Sequence, residues 1–170
     1  MRLLINIIIL LGLTACSTTI PNVSYYKLPE TEARLDSNRL EVTSIKLPDY
    51  IDHKDVVLEL DDGTLHRANF HKWAENLDDG IVRLLEGSKS EGVSTLIELM
   101  IVQFHGLESG RIKLSGKWRK MSGDKTLWKS FDMELSVTKS GYVNMIEAQA
   151  KLIEELRSDI VSSNETDLKS

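Results

Sequence analysis

One cysteine, three prolines and only 6% aromatic residues set the first limits on this 170-residue chain. A single cysteine makes no intrachain disulfide, so the fold must rest on packing even in an oxidising compartment. Lysine and arginine, 21 together, are outnumbered by 26 aspartates and glutamates. There is thus no basic excess to favour nucleic acid or an anionic lipid surface. No internal repeat or low-complexity segment is present. No apolar run reaches the ~20 residues that cross a bilayer. The nucleophile elbow Gly-x-Ser-x-Gly, the phosphate loop and the dinucleotide fingerprint are also missing. His53, His66, His71 and His105 lack the spacing of a helical metal site and have no thiol to help them, so neither metal nor cofactor is expected. Asp78-Asp79 reads as a solvated helix face rather than a general acid–base pair. Nothing here makes an enzyme the leading reading.

What is present begins at the N-terminus. One positive charge, Arg2, is followed by an apolar run from Leu3 to Leu13, broken only by Asn6 and Gly12. Small residues and Cys16 come next, in the n-region, h-region and cleavage-site order of a secretory signal peptide. The stretch Leu13-Thr14-Ala15-Cys16 resembles the bacterial lipobox, in which the cysteine thiol receives a diacylglycerol thioether and the peptide before it is removed. Residues 1–15 are therefore expected to be a lipoprotein signal peptide and Cys16 the lipidation site. The alternatives are ordinary cleavage after Ala15 with Cys16 a bystander, and an uncleaved anchor. Two or more acyl chains give stable anchoring where one does not, at ~0.8 kcal/mol per buried CH₂. The resemblance further implies sorting to the outer membrane, because Ser17 rather than Asp follows the cysteine. Loss of Arg2 with the signal leaves 20 basic against 26 acidic residues, a formal charge of −6 on the chain from Cys16 to Ser170.

Residues 16–24 read as a lipidated tether, polar and containing Pro21. Tyr25 to Pro29 and Leu40 to Leu47 read as strands stopped by proline. Val56–Leu60 and Leu65–Phe70 flank Asp61-Asp62-Gly63-Thr64. Asp-Gly supplies the positive φ of a tight hairpin turn, and the acidic pair lacks the ligand spacing of a calcium loop. His71 to Glu86 carries Trp73, Leu77, Ile81, Leu84 and Leu85 on one stripe, predicting a first helix that Gly80 weakens and that Gly87-Ser88 ends. Thr95 to His105 is nearly all apolar. Periodicity alone does not separate strand from helix there, but β-branched content favours a central strand.

After a turn at Gly106–Gly110, Arg111 to Arg119 alternates, with Ile112, Leu114 and Trp118 on one face and cations on the other. Beyond a turn at Ser122-Gly123-Asp124, Leu127 to Val137 alternates likewise, and cross-strand opposite charges would help to fix register. Trp118 reads as core. Trp128 falls on the polar face of its strand and is the candidate partner-binding aromatic, with core as the other reading. Gly141 to Ser162 predicts a second amphipathic helix, and residues 163–170 a flexible tail. The expected class is α+β: one domain over 25–162, an antiparallel sheet with two amphipathic helices packed on one face.

Taken in order, several of these stretches resemble the PqiC-type family, the ABC-type transport auxiliary lipoproteins. They are Cys16 in its lipobox, Tyr25-Tyr26-x-Leu28-Pro29, Ile45-Lys46-Leu47-Pro48-Asp49-Tyr50-Ile51-Asp52 and Trp73-Ala74-Glu75-Asn76-Leu77. Phe104 with Gly110 to Trp118 and the late amphipathic helix complete the order. The resemblance implies a non-enzymatic part of an MCE-type intermembrane phospholipid transport system. Such a part is an outer-membrane lipoprotein facing the periplasm that docks an inner-membrane-anchored MCE-domain protein, as a homo-oligomeric ring, and supports membrane integrity. A lipid- or small-ligand-binding lipoprotein of another ABC transport system is the alternative.

Overall fold

The computed structural model of the chain describes residues 21–30, 39–87, 94–121 and 127–163. The expected signal peptide, Cys16, most of the expected tether, the expected turn at Ser122-Gly123-Asp124 and the end of the expected tail lie outside the described residues. Among the described residues seven strands form one sheet: β1 (Ser24–Tyr26), β2 (Arg39–Lys46), β3 (Asp55–Glu59), β4 (Leu65–Trp73), β5 (Ser94–Leu107), β6 (Arg111–Lys120) and β7 (Lys129–Ser136). Helix α1 (Leu77–Glu86) lies between β4 and β5, and α2 (Tyr142–Ser162) follows β7. The strand order is β1-β4-β3-β5-β6-β7, with β2 joined to β5.

The α+β class with two helices holds, but the sheet is mixed rather than wholly antiparallel. β3–β4, β5–β6 and β6–β7 are antiparallel; β1–β4, β2–β5 and β3–β5 are parallel. Length explains this. At 14 residues, β5 is long enough to carry two neighbours in succession on one edge: β2 along Ser94–Met100 and the end of β3 at Gly106–Leu107. β2 and then β3 follow β5 in the same direction, one after the other, so both pairings are parallel.

The hairpin at Asp61–Thr64 forms as expected. Gly63 adopts φ +81°, and Asp62 Oδ1 accepts both the N–H and the hydroxyl of Thr64, at 2.9 and 2.6 Å. The first helix is shorter than its stripe suggested. His71–Trp73 belong to β4, where Trp73 N–H donates to Lys54 and Ala74 N–H to Tyr26. Trp73 is buried all the same, from the end of a strand. Gly80, costly inside a helix, has a packing reason. A Cβ there would stand 3.2 Å from Leu28 Cδ1 and 3.1 Å from Glu75 Oε1. Leu28, 1% exposed, thus fills the space beside the glycine. Arg83 donates to the Leu28 carbonyl and to Glu75, and Arg157 of α2 to the Leu85 carbonyl near the end of α1.

α1 packs on β2 and α2, while α2 covers β5, β6 and β7. The core lies between: Ile97, Leu99, Ile101 and Phe104 from β5, Ile112, Leu114 and Trp118 from β6, and Ile146, Ile153 and Leu156 from α2. A bulge at Val102 re-phases β5, so that Phe104 still faces the helices opposite Leu114. Gly116, opposite Ile101 and Phe131, admits no Cβ: it would fall against the Met100 carbonyl and 2.9 Å from the Phe131 ring.

Candidate partner-binding face

Alternation along β6 sends Lys113, Ser115, Lys117 and Arg119 to the face that, among the described residues, carries no helix. Directly opposite stand Glu98 of β5 and Asp132 and Glu134 of β7. The charges pair across the strands. Arg119 reaches Glu98 at 2.6 Å, Arg111 reaches Glu134 at 2.6 Å, and Lys113 lies 3.9 and 3.8 Å from Asp132 and Glu134. Each exposed pair is worth only ~0.2–1 kcal/mol, but together they fix which face is wet.

Trp128 precedes β7 on this same face. Its ring lies 5.2 Å from Lys117 Nζ and 4.9 Å from the Arg119 guanidinium carbon, and 36% of the residue stays exposed. Leu96 and Met121 lie at the same end of the open face, joined by the Met121 N–H on the Leu96 carbonyl, and are 38% and 42% exposed. An aromatic anchor beside exposed apolar side chains, rimmed by Arg and Lys, has the make-up of a protein-docking patch. Strand parity in the sequence already put Trp128 on the polar face. It missed Leu96 and Met121, which adjoin only because the β5–β6 register brings them together.

The histidines sort into three environments. His53 and His66 are exposed. His71 is half-buried, hydrogen-bonded through Nδ1 to Tyr26 at 2.8 Å and stacked 3.6 Å from the Tyr142 ring. His105, opposite Lys113 on the open face, is nonetheless 2% exposed because the connection carrying Tyr50 folds over it. Its Nε2 donates to Glu59 Oε2 at 2.7 Å. Nδ1 then accepts from the Tyr50 hydroxyl at 2.8 Å, and the Phe104 N–H donates to the Tyr50 oxygen at 3.2 Å.

Burial holds the His105 imidazole below its usual pKa of 6.5, against the pull of Glu59 and with help from Lys113. Burial raises the Tyr50 phenol; the Phe104 N–H opposes this and the Glu59 charge adds to it. This Glu59–His105–Tyr50 chain fastens the β2–β3 connection to the sheet. Asp78 and Asp79 lie in the first turn of α1, with Asp79 exposed. Among the described residues no group of three or more His, Cys, Asp or Glu could hold a metal.

A single mixed sheet with one face under two helices and the other presenting paired charges around a tryptophan defines a scaffold that displays a surface. The chain belongs to the ABC-type transport auxiliary lipoprotein component family, whose model matches residues 26–161. It is 26% identical over 159 residues to the intermembrane transport lipoprotein PqiC of Escherichia coli (strain K12), covering 82% of this chain and 85% of that protein. The PqiC of Shigella flexneri matches to the same extent, 26% over 159 residues. The crystal structure of an uncharacterized protein superposes with a TM-score of 0.70 at 25% identity, covering 83% of this chain and 97% of the other. Protein XCC0632 from Xanthomonas campestris shares the fold, with a TM-score of 0.60 at 15% identity over 81% and 92% of the two chains.

Proposed function

We propose that this chain is a non-enzymatic, outer-membrane lipoprotein facing the periplasm that docks the MCE-domain protein of an intermembrane phospholipid transport system. The observation that carries the reading is the family match across 26–161, joined to relatives named as intermembrane transport lipoproteins. The lipobox at Cys16, with Ser17 after it, supplies the anchor and its sorting. The end of the open face around Trp128 is the docking surface, and a ring of identical copies presents it to the partner. Membrane integrity depends on the assembly rather than on chemistry within this domain.

Photo-crosslinking tests the docking directly. p-Benzoylphenylalanine replaces Trp128, or the exposed Lys151 of α2, in cells that express the MCE protein of the same genome. An adduct with the MCE protein from position 128 and none from 151 is the expected outcome. Absence of an adduct at 128, in a protein that still reaches the membrane fraction, overturns the assignment. Cys16→Ala should abolish palmitate labelling and leave unprocessed precursor; persistent labelling overturns the anchor.

A further inference from the structure

At the opposite end of the sheet from Trp128 lies a cleft of about 430 Å³. It opens where the ends of β3, β6 and β7 meet the start of α2, and Leu58, Leu60, Leu107, Ile112, Val137 and Met145 line it. Its size falls within the ~300–1,000 Å³ of small-molecule sites. The lining is mostly apolar.

Of the three charged residues in the lining, two are cations, Lys139 and Arg111, and one is an acid, Glu108. Lys139 is exposed, with no ion-pair partner among the described residues, and Arg111, also in the lining, is paired to Glu134. Glu108, the acid on the rim, is turned to accept the Asp61 N–H at 3.0 Å. The 21-residue α2 begins at the same mouth with Gly141 as its cap residue, no side-chain cap bond and no acid in its first turn. By contrast, α1 carries Asp78 and Asp79 in its first turn. The positive end of α2 is thus left uncompensated just where Lys139 lies.

We infer that this cleft binds a single-chain amphiphile with an anionic head group: the chain enters between Leu58, Ile112 and Met145, and the head lies between Lys139 and the start of α2. The volume suits one acyl chain and not two, which points to a fatty acid or a lysophospholipid and away from a diacyl phospholipid. The site is separate from the docking surface proposed around Trp128, so either assignment can fail without the other.

Palmitic acid bearing a diazirine near its methyl end is the probe, applied to the full chain in lipid nanodiscs, with the labelled residues mapped by mass spectrometry. Labels on Met145 and its neighbours are expected. Palmitate or lysophosphatidylglycerol should compete them away, the stronger competitor identifying the source, while diacyl phosphatidylglycerol and hexadecanol compete poorly. Lys139→Glu, at an exposed position, should weaken palmitate competition about fivefold and leave hexadecanol unchanged. Leu60→Trp should fill the cleft and abolish the label, with the thermal melt reporting that the fold survives. If that variant melts early, Lys139→Glu alone decides the question. Labels spread over the surface, or equal competition by palmitate in native and Lys139→Glu chains, overturn the inference.

Discussion

Trp118 on β6 and Trp128 just before β7 stand ten positions apart in the sequence, and the same period of two puts them on opposite faces of the sheet. Trp118 is 1% exposed under α2, while Trp128 stays open between two cations. The helix-covered face stabilises the domain through apolar area removed from water, at ~25 cal/mol per Å². The open face adds little, because exposed ion pairs nearly offset their own desolvation and entropy costs. A face that contributes little to stability can change its side chains to suit a partner, and a face that carries the core cannot.

The largest break in that comparison is Trp118→Ala. It should cost ~3–5 kcal/mol, read as a lower denaturation midpoint at unchanged slope. Next comes the latch over His105. Tyr50→Phe leaves His105 Nδ1 and the Phe104 N–H without their partner in a buried place and should cost ~1–3 kcal/mol. That would show that one spot on the open face behaves as core.

Acid offers a second probe of the same spot. His105 is held neutral in the folded chain, with its pKa below the usual 6.5. The unfolded chain therefore binds the proton first as the pH falls, and stability is lost from about pH 6.5 downward, toward the folded value. Melting curves taken between about pH 7.5 and about pH 5 should show a fall that His105→Gln flattens. A slope unchanged in that variant would place the titrating group elsewhere.

Period-two alternation made β6 and β7 legible, because one side of each is wet and a slip by one residue would bury charge. The same logic found the exposure of Trp128. The start of α1 was less legible. Trp73 fits a helical stripe with Leu77 and Ile81, yet its backbone pairs with β1 and bonds Lys54 just before β3, and such long-range pairing leaves no local mark. The parallel placements of β2 and β3 were hidden for a similar reason. They follow from β5 being long enough for two partners, a property of the assembled sheet. The Glu59–His105–Tyr50 chain joins residues 46 and 55 positions apart, and only the position of His105 within an apolar run hinted at it.

The smallest expected effect is also the one that separates the two tryptophans most sharply. Trp128→Ala removes contacts with Lys117 and Arg119 that are worth ~0.5–1 kcal/mol at an exposed site. Arg119 keeps Glu98, and Lys117 regains water. The melting temperature should therefore move by little more than the error of the measurement, and a double-mutant cycle of Trp128→Ala with Arg119→Ala should give a coupling below ~1 kcal/mol. Crosslinked MCE partner should nonetheless fall severalfold in Trp128→Ala, because a half-exposed aromatic is spent in binding rather than in folding. A stability loss near that of Trp118→Ala would instead make Trp128 a second core residue, and the open face would lose its claim to be the docking surface.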